Sequence, residues 1–394
     1  MTAQRSPTTA ISYAVILAVS CTHLINDLVQ FLLPALYPIL KGQYGLSYFQ
    51  LGLLTLAQQI TACILQPVLG LYGDMHPRPY FLAVSMSVVA FGVVLLATAG
   101  TFEALLLASA ILGLGSALFH PEASRVCRMA SGGRFGFAQS SFQVGGNAGT
   151  ALGPLAAALI VLPLGQATTA WFGLIAVGAV MISLWIARWF THHQRTMQSA
   201  GVRLQPGGPD LSRERLAAAF AVLGALLLSK FVYIETFKSY YAFFLMEKYG
   251  LKIVYAQGFL FVFLAAVVFG TFFGGPIGDR IGRKKVIWGS IAGALPFAVA
   301  LPHVPMWIAL ALSIVVGLVL SSAFSAIVVF AQELLPQKIG MVSGFVFGFA
   351  FGAGALGAAA LGALADHIGM AQVFEYLPLL LCLGFLTALL PDLD

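Results

Sequence analysis

Twelve apolar stretches, most of about 20 residues or more, fill this chain almost end to end, separated by short loops with Gly, Pro or charge. In the first half they cover residues 12–40, 47–73, 80–99, 104–126, 137–162 and 168–190. In the second they cover 215–246, 254–277, 286–302, 307–332, 341–365 and 371–390. A helix of that length crosses the roughly 30 Å hydrocarbon core of a bilayer, where a chain must satisfy its own backbone polar groups. Only 9% of the residues are charged, against about a quarter in soluble domains. The fold class is therefore an all-α membrane protein of twelve transmembrane helices in two six-helix halves. Residues 1–190 are read as the N-terminal half, the polar stretch 191–214 as a cytoplasmic linker, and 215–394 as the C-terminal half.

A formal charge of +6 could suggest a nucleic-acid partner, but the positions of the charges argue against one. With both termini cytoplasmic, 15 of the 20 Lys and Arg fall on the inner side, including Arg78, Arg125, Arg128, Arg134, Arg283 and Lys338. The outer loops hold only Lys41, Lys248 and Lys252. This bias follows the positive-inside rule, so the basic excess reports topology. Cys21, Cys63, Cys127 and Cys382 lie in apolar segments or beside a basic loop, with no CxxC pair. They read as packing residues rather than disulfide partners or zinc ligands. Ala18-Val19-Ser20-Cys21 loosely resembles a lipoprotein cleavage box. Only Arg5 precedes the apolar run, however, and the run continues to Pro38, so the first helix reads as uncleaved.

The halves repeat. Gly70-Leu71-Tyr72-Gly73-Asp74 closes the second span, and Gly275-Pro276-Ile277-Gly278-Asp279 closes the eighth, 205 residues later. Gly145, Gly149 and Gly153 of the fifth span are approximately matched by Gly344, Gly348 and Gly352 of the eleventh. Parallel six-helix repeats of this kind describe the major facilitator architecture. Gly275-x-x-Gly278-Asp279-Arg280-x-Gly282-Arg283-Lys284 resembles the signature loop of that superfamily. The first-half copy is degraded: after Asp74 it reads Met75-His76-Pro77-Arg78, keeping the acid and one base. Both copies read as conformational latches, with the glycines packing the eighth helix on the eleventh and the Asp capping or pairing; a purely topogenic role is the alternative. Gly145-x-x-x-Gly149-x-x-x-Gly153-Pro154 looks like the motif of drug/proton antiporters. Small residues four apart permit close contact and Pro154 bends the helix, which generic packing explains equally well. One departure stands out: Leu107–Gly115 of the fourth span lacks the Arg that drug antiporters often carry.

A narrower resemblance extends through both halves. Ser20-x-x-His23-Leu24-x-Asn26-Asp27, Phe119-His120-Pro121-Glu122-x-Ser124-Arg125, Met129-Ala130-Ser131-Gly132-Gly133-Arg134 and Ala331-Gln332-Glu333-Leu334-Leu335-Pro336 are similar to the bacterial fosmidomycin resistance proteins. The resemblance implies a multi-pass exporter of the bacterial inner membrane that confers resistance to this phosphonate antibiotic. It implies proton antiport as the drive, with no bound cofactor.

Charges persist in mid-membrane where they meet water, a partner or a ligand, because each costs about 2.5–3.5 kcal/mol at the centre of an isolated helix. The first span carries His23, Asn26, Asp27 and Gln30 as one polar stripe. Asp27 with His23 reads as the proton site, since leaving water disfavours the charged carboxylate; a static hydrogen-bond cluster is the alternative. The seventh span carries Lys230, Tyr233, Phe237, Tyr240, Tyr241 and Phe244 within a similar arc. An ammonium in an aromatic wall suits an anionic substrate, or an ion pair with Asp27 that substrate or proton breaks. Glu235 and Lys238, three apart, can pair with each other. Asn26, Gln30, Gln59, Gln143 and Asn147 complete the expected substrate-binding set with Lys230, Tyr233, Phe237, Tyr240 and Tyr241, and interhelical bonding is the competing role of the amides. His120, Glu122 and Arg125, late in the fourth span, and Glu333 read as gating salt bridges beside Asp74, Arg78, Asp279, Arg280, Gly282 and Arg283.

No metal-ligand cluster, nucleophile elbow or phosphate-binding loop emerges from the sequence, so neither an enzyme nor a metal site is expected. The partners expected are a small molecule, protons and lipid, with the chain acting as a monomer. Two readings compete with export: a proton-coupled importer of an anionic metabolite, and a non-transporting membrane receptor.

Overall fold

The computed structural model describes residues 10–46, 48–199, 209 and 211–393, and among them every regular element is helical. The first half contains α1 (Tyr13–Ala35), α2 (Tyr37–Tyr44), α3 (Tyr48–Met75), α4 (Phe81–Thr98), α5 (Phe102–Ala130), α6 (Phe135–Ala156), α7 (Leu162–Leu164) and α8 (Ala170–Ser199). The second contains α9 (Arg213–Tyr249), α10 (Ile253–Ile281), α11 (Arg283–Ala300), α12 (Met306–Ser321), α13 (Ala323–Leu334), α14 (Ile339–Ile368) and α15 (Met370–Tyr376). Eleven helices among the described residues are long and apolar enough to cross a membrane. The remaining expected span, fifth in chain order, belongs to α6, which carries Gln139, Ser140, Ser141, Gln143 and Asn147 and continues into a π-helical turn at Ala157–Val161.

Local chemistry sets the ends. Thr101 and Ser212 cap α5 and α9, their hydroxyls accepting from the backbone N–H of Ala104 and Arg215. Gly250 closes α9 at φ +65°, a left-handed conformation that glycine adopts without a Cβ penalty. The expected first span divides at Leu36, where Pro34 and Pro38 interrupt the ladder between α1 and α2. The sixth helix runs longer than its apolar stretch: α8 continues to Ser199, so residues 191–199 of the expected linker are helical. Residues 200–208 and 210 of that linker lie outside the described residues.

Internal contacts divide the chain into two compact units, Met1–Gly208 with Leu335–Gly348 and Pro209–Leu334 with Phe349–Asp394. The first turns of α14 therefore belong with the N-terminal helices. In the first unit, α6 lies against α1 along the glycine stripe. A Cβ on Gly145 would stand 2.1 Å from the Ser20 carbonyl oxygen, and one on Gly149 would stand 2.2 Å from that of Leu24. Only glycine permits backbones this close, which is the contact small residues provide in lipid. In the second unit Gly270 and Gly274 approach the α12 backbone at Leu318 and Ser322 in the same way. Gly278 leaves ordinary room for a methyl group against Val286 and Ala326.

Candidate functional site

Where α5 packs on α1, three ionisable side chains of the first unit come together. His23 and Asp27 lie one turn apart on α1, and His120 reaches them from α5. His23 Nε2 stands 3.4 Å from Asp27 Oδ2, and His120 Nε2 stands 3.8 Å from Asp27 Oδ1. The two imidazole rings meet edge to face with centroids 5.1 Å apart. All three residues are buried within the protein. Asn26 donates a 2.8 Å hydrogen bond to Asp27 Oδ1. The His23 ring stacks on Phe142, and a Cβ on Gly146 would come within 2.3 Å of it, so the ring occupies a slot that glycine leaves open.

The far side of each imidazole fixes its tautomer. His23 Nδ1 lies 2.8 Å from the Phe142 carbonyl oxygen, and His120 Nδ1 lies 3.0 Å from that of Ser116. A carbonyl only accepts, so both Nδ1 atoms carry hydrogen and donate. In the neutral rings Nε2 then offers a lone pair, and both lone pairs face the Asp27 carboxylate. With both rings neutral, the facing acceptors have no proton to share. A single added proton, on the acid or on either ring, turns that juxtaposition into a charge-assisted hydrogen bond.

A second buried cluster lies near the ends of α3 and α5. Arg125 donates to Glu122 Oε2 at 2.6 Å and to Asp74 Oδ1 at 2.9 Å. Asp74 also accepts from the backbone N–H of Gly340 at 2.9 Å and of Met341 at 2.8 Å. It thus caps the first turn of α14 with a side chain from another helix, at the end where the helix dipole favours an anion. Gly70 has room for this contact only as glycine, its Cβ position lying 2.1 Å from the Gly340 carbonyl oxygen. In the second unit Arg283 joins Asp279 at 2.9 Å and Glu333 at 3.3 Å. Gly282, at φ +96°, makes the turn that presents Arg283.

Lys230 is the buried cation of the second unit. Its ammonium donates to the Ser321 carbonyl oxygen at 3.3 Å and lies 5.1 Å from the Phe324 ring centroid and 5.6 Å from that of Phe231. It makes no ion pair among the described residues; Glu235 pairs with Lys238 instead, at 2.7 Å. A fully buried amine without a carboxylate is costly to charge, so it holds its proton only where an anion or other acceptor meets it.

Comparison with known proteins identifies the family. The Major Facilitator Superfamily model matches residues 19–358 and 240–393. The fosmidomycin resistance protein of Escherichia coli (strain K12) is 49% identical over 387 residues, covering 97% of this chain and 93% of its own. The chain belongs to the Major Facilitator Superfamily. An uncharacterized MFS-type transporter of Bacillus subtilis (strain 168), YfnC, is 40% identical over 99% of this chain and 95% of its own. Among solved structures, the E. coli fucose:proton symporter aligns with a TM-score of 0.71 at 15% identity, over 95% of this chain and 97% of its own. The human organic anion transporter MFSD10 aligns with a TM-score of 0.70 at 16% identity, over 97% of this chain and 100% of its own. At those identities the structural likeness shows the fold alone. The protein is a multi-pass membrane transporter of this superfamily, and not an enzyme.

Within this facilitator, several residues stand in surroundings other than those expected. His120 belongs with Asp27 instead of with the gating charges, although Glu122 is only two residues on. Arg125 is buried within α5 and bridges Glu122 as their spacing suggested, while Arg78 and Arg280 are exposed and make no ion pair among the described residues. Gln30 donates to the Leu112 carbonyl and accepts from Gln58, so its amide ties α1 to α3 and α5 in place of facing a ligand. Gln58 donates to the Gln30 backbone as well, whereas its neighbour Gln59 is half-buried and accepts from Cys63. Gln143 is buried with its Oε1 unbonded among the described residues, and Asn147 is half-buried. Tyr233, Phe237 and Tyr241 were expected to line a cavity. They stack on one another and against Phe263 and Phe374, forming the aromatic core of their unit. Tyr240 is half-buried beside Gly362. Gly153 seats against Phe31, and the side chain of Pro154 lies outside the described residues.

Proposed function

We propose that this transporter exports fosmidomycin or related small anionic drugs across the bacterial inner membrane by proton antiport, with both termini cytoplasmic and alternating access between its halves. The observation that carries the reading is the 49% identity, over 97% of the chain, to a protein named for fosmidomycin resistance. The buried ammonium of Lys230 supports an anionic substrate. The His23–Asp27–His120 cluster, in which both Nε2 atoms face the carboxylate, supports a proton as the coupling ion. In this reading the latches at Asp74 and Asp279 set the balance between conformations, no cofactor beyond the proton gradient is needed, and one chain suffices.

The test is fosmidomycin susceptibility in cells expressing the wild type, Lys230→Ala or Asp27→Asn at matched levels. Resistance from the wild type alone is expected. Equal resistance from all three would remove both site assignments, and none from a well-expressed wild type would remove the substrate. Direction is read separately, by drug accumulation in energised cells: extrusion is expected, and net uptake would replace export with import.

A further inference from the structure

We propose that His23, Asp27 and His120 form a binding site for one divalent transition-metal cation of the zinc class. Two imidazole nitrogens and a carboxylate oxygen lie within 4.8 Å of one another, all on buried residues. A tetrahedral zinc site with bonds of 2.0–2.1 Å holds its ligand atoms about 3.4 Å apart. His23 Nε2 stands 3.4 Å from Asp27 Oδ2 and His120 Nε2 stands 3.8 Å from Asp27 Oδ1, and with one ligand atom from each residue the three lie within 4.8 Å, so ligation needs the side chains to close by at most about 1.4 Å. The ligand types suit the same ions, since imidazole with carboxylate favours zinc and its neighbours over magnesium or calcium.

The surroundings point the same way. A metal-bound histidine commonly donates its other N–H to a backbone carbonyl or carboxylate, which fixes the ring. Both histidines do so, to Phe142 and Ser116, and each leaves Nε2 turned toward Asp27. His23 Nε2 makes no hydrogen bond among the described residues, although the ring is almost wholly buried. Three protein ligands leave a fourth position for water or an anionic group. A bound cation occupies the lone pairs that otherwise take the proton, so it inhibits coupling. That consequence rests on the proton reading; the binding itself does not.

The test uses the purified full-length protein in detergent, stripped with a chelator and titrated calorimetrically with zinc, with cobalt as a spectroscopic probe. The wild type is expected to bind one zinc per chain and to give the visible absorption of low-coordinate cobalt. His120→Asn and Asp27→Asn each weaken binding at least tenfold. His192→Gln with His193→Gln, which removes the adjacent pair late in α8, leaves it unchanged. Thermal melting without metal shows whether each variant is folded, and zinc raises the melting temperature of the wild type but not of His120→Asn. The proposal is overturned by absence of stoichiometric binding to the wild type, by wild-type affinity in folded His120→Asn and Asp27→Asn, or by loss of binding in the His192/His193 variant. A failed titration leaves proton coupling standing, and a failed flux assay leaves the metal site standing.

Discussion

Replacing Arg125 by Gln removes the single cation that Glu122 and Asp74 share. Arg125 is buried, as are both acids, and its two guanidinium contacts measure 2.6 and 2.9 Å. Removing one partner of a buried ion pair costs about 3–5 kcal/mol, because the charge left behind is neither solvated nor paired. Here two carboxylates are left. Asp74 keeps the N–H groups of Gly340 and Met341, while Glu122 loses the guanidinium that donates to it. One of the acids can take up a proton, so the lower end of the range applies, about 3 kcal/mol. For a unit of this size that corresponds to a fall in melting temperature of about 6–12 °C, at about 2–4 °C per kcal/mol. The assay is thermal unfolding of purified protein for the wild type, Arg125→Gln, and the double variant Glu122→Gln with Arg125→Gln. Neutralising Glu122 removes the stranded charge, so the double variant recovers part of the loss. A single variant that melts with the wild type, or a double variant no more stable than the single, would refute the argument that the pair is buried and coupled.

Gly146→Ala places a methyl within 2.3–2.4 Å of His23 Cε1 and Nε2 and 2.9 Å of Asp27 Oδ2, so the ring must leave its slot. Proton-driven transport by this variant is expected to fall at least about a hundredfold, the low end of what loss of a positioned acid–base group costs, measured as drug flux under an imposed pH gradient. Gly145→Ala and Gly149→Ala press on the α1 backbone and should cost about 1–3 kcal/mol each. Gly178→Ala meets nothing within 4 Å and should gain up to about 1 kcal/mol from helix propensity, so melting temperatures of the three separate close contact from propensity. Lys230→Met keeps volume and removes a buried ammonium, so melting should be unchanged or raised while binding of the anionic drug is lost; retained binding would remove Lys230 from the substrate site.

Helix number and placement were legible in the sequence because the bilayer imposes one length and one polarity on every span. The ends were less so. Propensity and capping decide whether α8 stops at its last apolar residue, and Leu36 breaks the first span only because prolines flank it. The site was legible in part. The stripe on α1 announced His23 and Asp27, since polar residues at i and i+4 in an apolar helix have few other reasons to be there. His120 was missed because sequence neighbours pointed elsewhere: Glu122 and Arg125 suggested a gate, and which face of α5 meets α1 is a tertiary fact. The signal available was Ser116 four residues before it, a polar pair on an apolar face. The aromatic residues of α9 show the converse. An arc of rings reads alike whether it lines a cavity or fills a core, and only Phe263 and Phe374 on other helices decide. The first loop motif looked degraded by composition, yet its one retained acid caps α14 and holds Arg125.

The central claim is that the buried cluster on α1 and α5 carries the coupling proton. It is tested most directly in proteoliposomes, by comparing gradient-driven fosmidomycin flux with drug–drug exchange at equal pH for the wild type and Asp27→Asn. The expected result is a variant that still exchanges drug but no longer concentrates it in response to a pH gradient. Gradient-driven accumulation at the wild-type level in that variant would contradict the claim.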